Sequence, residues 1–519
     1  MKNTNQLKLG SLLSYLQMFI GIVISLVYTP VMLDLLGKSE YGLYNTVSSV
    51  ISVLSLLNLG FSSGYIRYYA KYKKNNDTES IWKLNGLFII IFTIIGLIAL
   101  ACGFFLSFNL DLVFSEGLTA SEYGIAKILM ILLTFNLAIS FPMSVFSHII
   151  SANEKFVVLK LISIIKTVFS PLVTLPLLLM GFRSIAVVSV TLALSVIADV
   201  IYVYYVIRKL KNRFVFRGFE KGIFLSLFSY TAFIAINLIV DQINWNVDKI
   251  LLGRYKGTEI VAVYSLGYML YQYYMMFSTS ISSVFTPKIH RIVQETKDDK
   301  ESRRERLTSL FVRVGRIQFI LLGLVSTGII FFGMEFITKY WADAGYTDAY
   351  YVALLLVLPA TIALIQNIGI EVQRAQNKHK FRAVVYVFMA LSNVVMSIYL
   401  CKRYGAVGSA VGTAISLVLA NGIIMNIYYH KCCDINVIRF WGGIFRASLG
   451  LIIPVACGVL MRMYLDISNT WWYIAAIVAY TIIYIVSMWF IGMNEYEKSL
   501  ATKPIKKVMR KFNGKSEQR

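Results

Sequence analysis

The stretch GLFIIIFTIIGLIALACGFFLS occupies residues 86–107 and carries no charge. A helix rises 1.5 Å per residue, so a run of this length covers the ~30 Å hydrocarbon core of a bilayer. Lys83 precedes it, while Asp111, Glu116 and Glu122 follow with no base among residues 108–122. The segment reads as a membrane span that leaves a basic side and emerges into an acidic loop.

The same ruler, moved outward, gives fourteen candidate spans. Seven lie near 11–36, 41–69, 86–107, 123–151, 156–181, 183–208 and 222–252. Seven more lie near 260–287, 311–334, 350–373, 381–401, 406–430, 443–464 and 471–492. The composition agrees: 57% of 519 residues are hydrophobic and 15% charged, which excludes a set of soluble domains. The run at 11–36 is too long for a signal-peptide core and lacks a cleavage site, so it is read as a retained first span.

The net charge of +23 does not mark a nucleic-acid binder, because the bases recur between apolar segments instead of sharing one domain. They fall on alternate connections: Arg67 to Lys83, Arg208 to Lys221, the stretch 288–316, and the tail from Lys498. The positive-inside rule then puts both termini of a multi-pass membrane protein in the cytoplasm. The segment 288–310 reads as an amphipathic connector on the inner leaflet. Gly60/Gly64 and Gly408/Gly412 are small-residue pairs that allow close helix packing.

The chain repeats itself. Ala152-Asn153-Glu154-Lys155-Phe156 opens the fifth span, and Ala375-Gln376-Asn377-Lys378 with Phe381 opens the eleventh. Thr191 begins TLALSVIA in the sixth span, and Thr413 begins TAISLVLA in the twelfth. Leu35-Leu36-Gly37 and Leu251-Leu252-Gly253 end the first and seventh. Six helices separate each pair, so the copies run the same way and build two lobes, with substrate expected between them. The expected fold is therefore all-α and integral to the membrane. It comprises two six-helix lobes in a pseudo-two-fold repeat plus two extra C-terminal helices. The divisions are an N-terminal lobe at 1–221, a C-terminal lobe at 222–440, helices 13 and 14 at 441–495, and a basic cytoplasmic tail at 496–519.

Several polar groups sit where hydrocarbon is expected. Asn237, Asp241, Asn244 and Asp248 are spaced 4, 3 and 4 apart in the seventh span and share one helical face within ~60°. Charges at membrane depth cost at least ~2.5–3.5 kcal/mol each. The stripe therefore lines a water-filled cavity or forms a hydrogen-bonded seam between helices. Asp248, beside Lys249 near the span's end, has the further option of reaching water. Lys166 in the fifth span and Asp199 in the sixth either pair and brace two helices, or meet an anionic headgroup and a coupling ion. Arg67, Lys160 and Arg374 are phosphate candidates at the inner mouth, or bases snorkelling to the interface. Tyr264, Tyr268 and Tyr271 share a face of the eighth span with Gln272 alongside. They offer flat rings to sugars, or form core and interfacial belt.

No G-x-x-x-x-G-K-[ST] occurs; Gly37-Lys38-Ser39 has Met32 where the upstream glycine belongs. No H-E-x-x-H occurs, and the cysteines at 102, 401, 432, 433 and 457 form no C-x-x-C. No metal site, cofactor or catalytic centre is expected.

D248-KILLG with Gly257 and Tyr264, YTPVMLDLLGKSEYGLYNTVSSV (28–50), and Q376-NKHKF carry a resemblance across nearly the whole chain. The protein resembles the Wzx-like polysaccharide flippases of the multidrug/oligosaccharidyl-lipid/polysaccharide exporter superfamily. The resemblance implies a V-shaped, two-lobed transporter that moves undecaprenyl-linked oligosaccharide by alternating access, with the seventh and eighth spans along a central cavity. Two additional helices also occur in the lipid II flippase branch. Expected partners are a lipid-linked oligosaccharide and membrane lipids, with polysaccharide polymerase or assembly proteins as candidates, and the protein is expected to be a monomer. A Na+ or H+ gradient is the candidate drive. The rivals are a multidrug/cation antiporter of the same superfamily, against which Lys166 counts, and a membrane glycosyl polymerase or ligase, against which the short outside loops count.

Overall fold

A single segment crossing lipid must satisfy its own backbone, and the α-helix is the way it does so. The computed structural model describes residues 2–114, 118–218, 221–500 and 502; some side chains near the N-terminus, in the first part of the seventh span and at His379 fall outside the description. Among the described residues the regular structure is entirely helical. The long elements are α1 (Lys2–Leu54), α2 (Phe61–Lys74), α3 (Thr78–Phe108), α4 (Ala120–Ala152), α5 (Phe156–Leu179), α6 (Arg183–Tyr204), α7 (Lys221–Tyr255) and α8 (Thr258–Glu295). They continue with α9 (Lys300–Glu335), α10 (Thr347–Leu364), α11 (Ile368–Ala375), α12 (His379–Leu417), α13 (Met425–Cys432), α14 (Val437–Ser448), α15 (Ile452–Tyr464) and α16 (Thr470–Ser487).

Ten stretches among the described residues are long and apolar enough to cross a membrane. Two of them, Leu12–Lys74 and Lys380–Cys432, run 63 and 53 residues, far more than one crossing uses. Each is broken by a glycine, Gly37 (φ 74°, ψ 166°) and Gly405 (φ 58°, ψ −135°). At Gly405 the chain folds back on itself. Asn393 Nδ2 donates to Thr413 Oγ1 at 3.3 Å, although twenty residues of straight helix would hold them about 30 Å apart. Counting these two as hairpins, and adding α7 and α8 at 35 and 38 residues, is consistent with the fourteen spans read from the sequence.

The corners carry the repeat. Left-handed residues recur in register: Gly37 with Gly257, Glu154 with Asn377, Gly181 with Gly405, and Lys211 with Asp434. Gly253, matched to Gly37 in the sequence, stays inside α7, and the turn comes four residues later. Each pair closes corresponding helices of the two copies. The turn motifs ANEKF and AQNKHKF thus share a backbone shape as well as residues.

The stretch 288–310 is not a separate connector. α8 runs on to Glu295 and α9 starts at Lys300, so two spanning helices extend past the apolar runs. Asp299 caps α9 by accepting from Ser302 N at 2.9 Å, and Arg306 donates to Glu295 at 2.6 Å. Charged residues on good helix formers simply continue the helices, a continuation that an apolar ruler does not detect.

The chain clusters into two compact units: Met1–Gly267 with Ala390–Thr413, and Tyr268–Met389 with Ala414–Arg519. The first has an aromatic core in which Tyr65, Phe88 and Phe92 are buried, and Tyr65 donates to Asn85 Oδ1 at 2.7 Å. The second has a core of Phe331, Phe332, Tyr473, Tyr480 and Tyr484. There Arg316, 6% exposed, is fixed by Glu497 at 2.7 and 2.9 Å. The tail beyond residue 502 lies outside the described residues.

Candidate functional site

Asp248 is the most enclosed carboxylate of the α7 stripe, 2% exposed. Its Oδ2 accepts from Tyr264 Oη at 2.7 Å and from Thr413 Oγ1 at 2.7 Å, and its Oδ1 accepts from Ser409 Oγ at 2.7 Å. A second layer surrounds it: Asn393 Nδ2 donates to Thr413, and Ser397 Oγ donates to Asn393 Oδ1 at 3.3 Å. The sequence builds this locally. Gly257 turns α7 into α8 and returns Tyr264 to Asp248, while Gly405 folds α12 so that both of its arms present hydroxyls. Gly412 lies against Ser397 and Asn393, where a Cβ would crowd both.

Asp248 therefore does not reach water. No ion pair reaches it within 4 Å among the described residues; oxygen donors alone hold the charge. Buried carboxylates need such compensation. The same oxygens, with hydroxyls free to rotate, also suit a proton or a hard cation. Among the described residues no cluster of three His, Cys, Asp or Glu is placed to hold a metal.

The rest of the stripe differs. Asp241 is exposed and Asn244 half-buried, while the side chain of Asn237 lies outside the described residues. Two further amides of α7, which the stripe did not include, form their own link: Asn246 Nδ2 donates to Gln242 Oε1 at 2.5 Å, and Gln242 Nε2 reaches Ser55 Oγ at 3.5 Å.

Lys166 and Asp199 are each half-buried, on α5 and α6. Lys166 Nζ donates to Ser195 Oγ at 2.7 Å, and Asp199 acts on it electrostatically without a direct ion pair. The structure thus brings together the two charges that the sequence left unassigned, with Ser195 as an unforeseen third member.

Tyr264, Tyr268 and Tyr271 are all buried. Tyr264 is bound to Asp248, and the rings of Tyr268 and Tyr271 lie 5.6 Å apart. Of the bases read as phosphate candidates, Arg67 is exposed, Lys160 half-buried, and Arg374 exposed and paired with Glu371 at 2.6 Å.

Two carboxylates that sequence reasoning missed organise the end of the first unit near Gly37. Glu122 caps α4 with Thr119, accepts from Thr258 Oγ1 at 2.7 Å, and accepts from Ser39 Oγ. Buried Glu40 accepts from Ser184 N at 2.9 Å and pairs with Arg183 at 3.4 Å. Gly42 allows this closeness, since a Cβ there would overlap the Thr258 carbonyl.

The many-helix membrane architecture has solved counterparts. It is similar to "Lipid II flippase MurJ, inward closed conformation", with a TM-score of 0.69 at 15% identity, covering 96% of this chain and 99% of that one. It is also similar to the multidrug transporter DinF-BH of the MATE type, with a TM-score of 0.59 at 15% identity over 84% of this chain and 96% of that one. The chain belongs to the polysaccharide biosynthesis protein family, whose model matches residues 9–293. The fold is also similar to an inward-facing multidrug resistance MATE family transporter of the MOP superfamily, with a TM-score of 0.58 at 12% identity over 83% of this chain and 95% of that one. The chain is 28% identical over 116 residues to the teichuronic acid biosynthesis protein TuaB of Bacillus subtilis (strain 168). That match spans 22% of this chain and 23% of TuaB's length.

Proposed function

We propose that the protein flips an undecaprenyl-linked oligosaccharide repeat unit across the bacterial cytoplasmic membrane by alternating access, for surface polysaccharide biosynthesis. The observation that carries this reading is the coincidence of a transporter fold with membership of a polysaccharide biosynthesis family. TuaB, named for teichuronic acid biosynthesis, and MurJ, named as a lipid II flippase, support it. Both termini are cytoplasmic in this reading, since the bases cluster on alternate connections. Lys166 supplies positive charge to the anionic headgroup, and Arg67, Lys160 and Arg374 assist its phosphates at the inner side. Asp241 and Asp199 bind sugar or a coupling ion. The enclosed oxygen set around Asp248 takes the coupling Na+ or H+, because a carboxylate without a fixed cation can exchange one.

Separate replacement of Lys166 and Asp241 by Ala tests the reading, with surface polysaccharide and membrane insertion both measured. Normal export from well-inserted variants removes both residues from the mechanism. The multidrug antiporter remains the second reading, favoured by the similarity to DinF-BH. Deletion of the gene that sensitises cells to cationic drugs while leaving polysaccharide intact selects it.

A further inference from the structure

A cavity of about 470 Å³ lies in the second unit among α9, α14 and the segment that follows α16. Three guanidinium groups line it, from Arg316, Arg439 and Arg446. They are not equivalent. Arg316 is saturated by Glu497 and by the carbonyls of Gly443 and Gly492 at 2.6 and 2.7 Å. Arg439 is bidentate on Glu305 at 2.6 and 2.7 Å. Arg446 has neither hydrogen bond nor ion pair among the described residues. Three arginines thus face two glutamates, and the surplus charge sits on the one group without a partner.

The spacing of Arg439, Gly442, Gly443 and Arg446 puts them on one face of α14. The other face, Val437, Phe440, Ile444 and Ala447, is buried. Gly442 opens the floor of the hollow, since a Cβ there would have no neighbour within 4 Å. The surroundings are apolar and uncovered: Ile438 is 76% exposed, Phe445 67% and Phe490 75%. These residues belong to the beginning of one membrane span, Val437–Tyr464, and the end of another, Thr470–Gly492.

A charged hollow with a greasy rim at the end of a span matches a molecule that is anionic at one end and hydrocarbon at the other. We infer that this cavity holds the phosphodiester headgroup of an anionic phospholipid of the bilayer, with Arg446 as its principal contact and the acyl chains along Phe445, Ile438 and Phe490. The planar fork of arginine suits phosphate oxygens. Basic pockets between spanning helices are known to take anionic headgroups. A free inorganic anion would make no use of the rim. The site is separate from the polar groups assigned to transport and stands whether or not that assignment holds.

The test uses the purified full-length protein in neutral detergent. Retained lipid is counted by native mass spectrometry and thermal unfolding is followed with phosphatidylglycerol, phosphatidylcholine or inorganic phosphate added at equal ionic strength. The wild-type protein is expected to retain phosphatidylglycerol and to gain Tm from it alone. Arg446→Gln is expected to weaken retention about tenfold, the size of one charge-assisted contact. Gly442→Leu keeps every charge, favours the helix, fills the hollow, and is expected to do the same. Arg403→Gln, an exposed arginine in the first unit, is expected to leave retention unchanged. Equal retention of the two lipids by the wild type overturns the proposal. So does wild-type retention by either α14 variant, or equal loss in Arg403→Gln. A Tm gain from inorganic phosphate that matches the lipid's overturns the lipid assignment in favour of a soluble anion.

Discussion

Tyr264 donates its phenolic proton to Asp248 Oδ2 at 2.7 Å, across the turn that joins α7 to α8. The bond satisfies a carboxylate that makes no ion pair within 4 Å among the described residues, and it ties the shape of the turn to the state of that carboxylate. A proton or Na+ bound at Asp248 would share the carboxylate oxygens with the phenol. The two helices then feel the ion directly.

Tyr264→Phe removes one of three donors to a buried charge and is expected to cost ~1–3 kcal/mol, read as a lower Tm in detergent. Asp248→Asn keeps the shape and removes the charge. In its background the cost of Tyr264→Phe is expected to shrink, since the two act as one unit. Export by Asp248→Asn is expected to fall by about tenfold or more, the equivalent of losing ~1.4 kcal/mol of coupling, with insertion intact. Full export by that variant excludes Asp248 from coupling.

Lys166 and Asp199 offer a cleaner separation of roles. Were their interaction only a brace, Lys166→Met with Asp199→Asn would be better tolerated than either change alone. The transport reading expects the double variant to insert normally and still fail to display polysaccharide. Display restored in the double variant assigns the pair to structure.

Glu122 gathers Thr119, Ser39 and Thr258, which come from three different parts of the first unit. Glu122→Ala is expected to loosen the contact of Ser39 with Thr258. Cysteines placed at those two positions should then crosslink less efficiently than in the parent. An unchanged crosslinking rate means that Gly42 and its close packing hold the contact without the carboxylate.

In the second unit Arg316 and Glu497 are almost wholly buried. Removing Arg316 alone strands a carboxylate and is expected to destabilise by ~3–5 kcal/mol. Arg316→Met with Glu497→Leu is expected to recover most of that loss. Thermal unfolding of the single and double variants decides the matter, and a mild single variant would mean that water reaches Glu497.

The apolar runs made the spans legible, because lipid penalises anything else over ~20 residues. Leu35-Leu36-Gly37 marked a real break, since only glycine takes that left-handed turn without strain. The second copy was legible through ANEKF and AQNKHKF. The fate of Asp248 was not. Helical spacing assigns residues to a face but cannot say what covers that face. Ser409 and Thr413 lie more than 150 positions away, on a helix where hydroxyls look unremarkable. Arg316 was likewise counted among cytoplasmic bases, and nothing near it in sequence announces Glu497. Long-range polar partners leave no periodic trace.

The paired left-handed corners frame positions that can be compared across the two copies. With the register set by Thr191 and Thr413, Asp199 falls opposite Asn421; with that of Ala152 and Ala375, Lys166 falls opposite Met389. One bending plan therefore frames two unlike interiors, a charged pair in the first copy and, at the matching places, a neutral amide and a thioether in the second. The bends answer to a backbone constraint that both copies share, whereas the positions between them differ in polarity from one copy to the other.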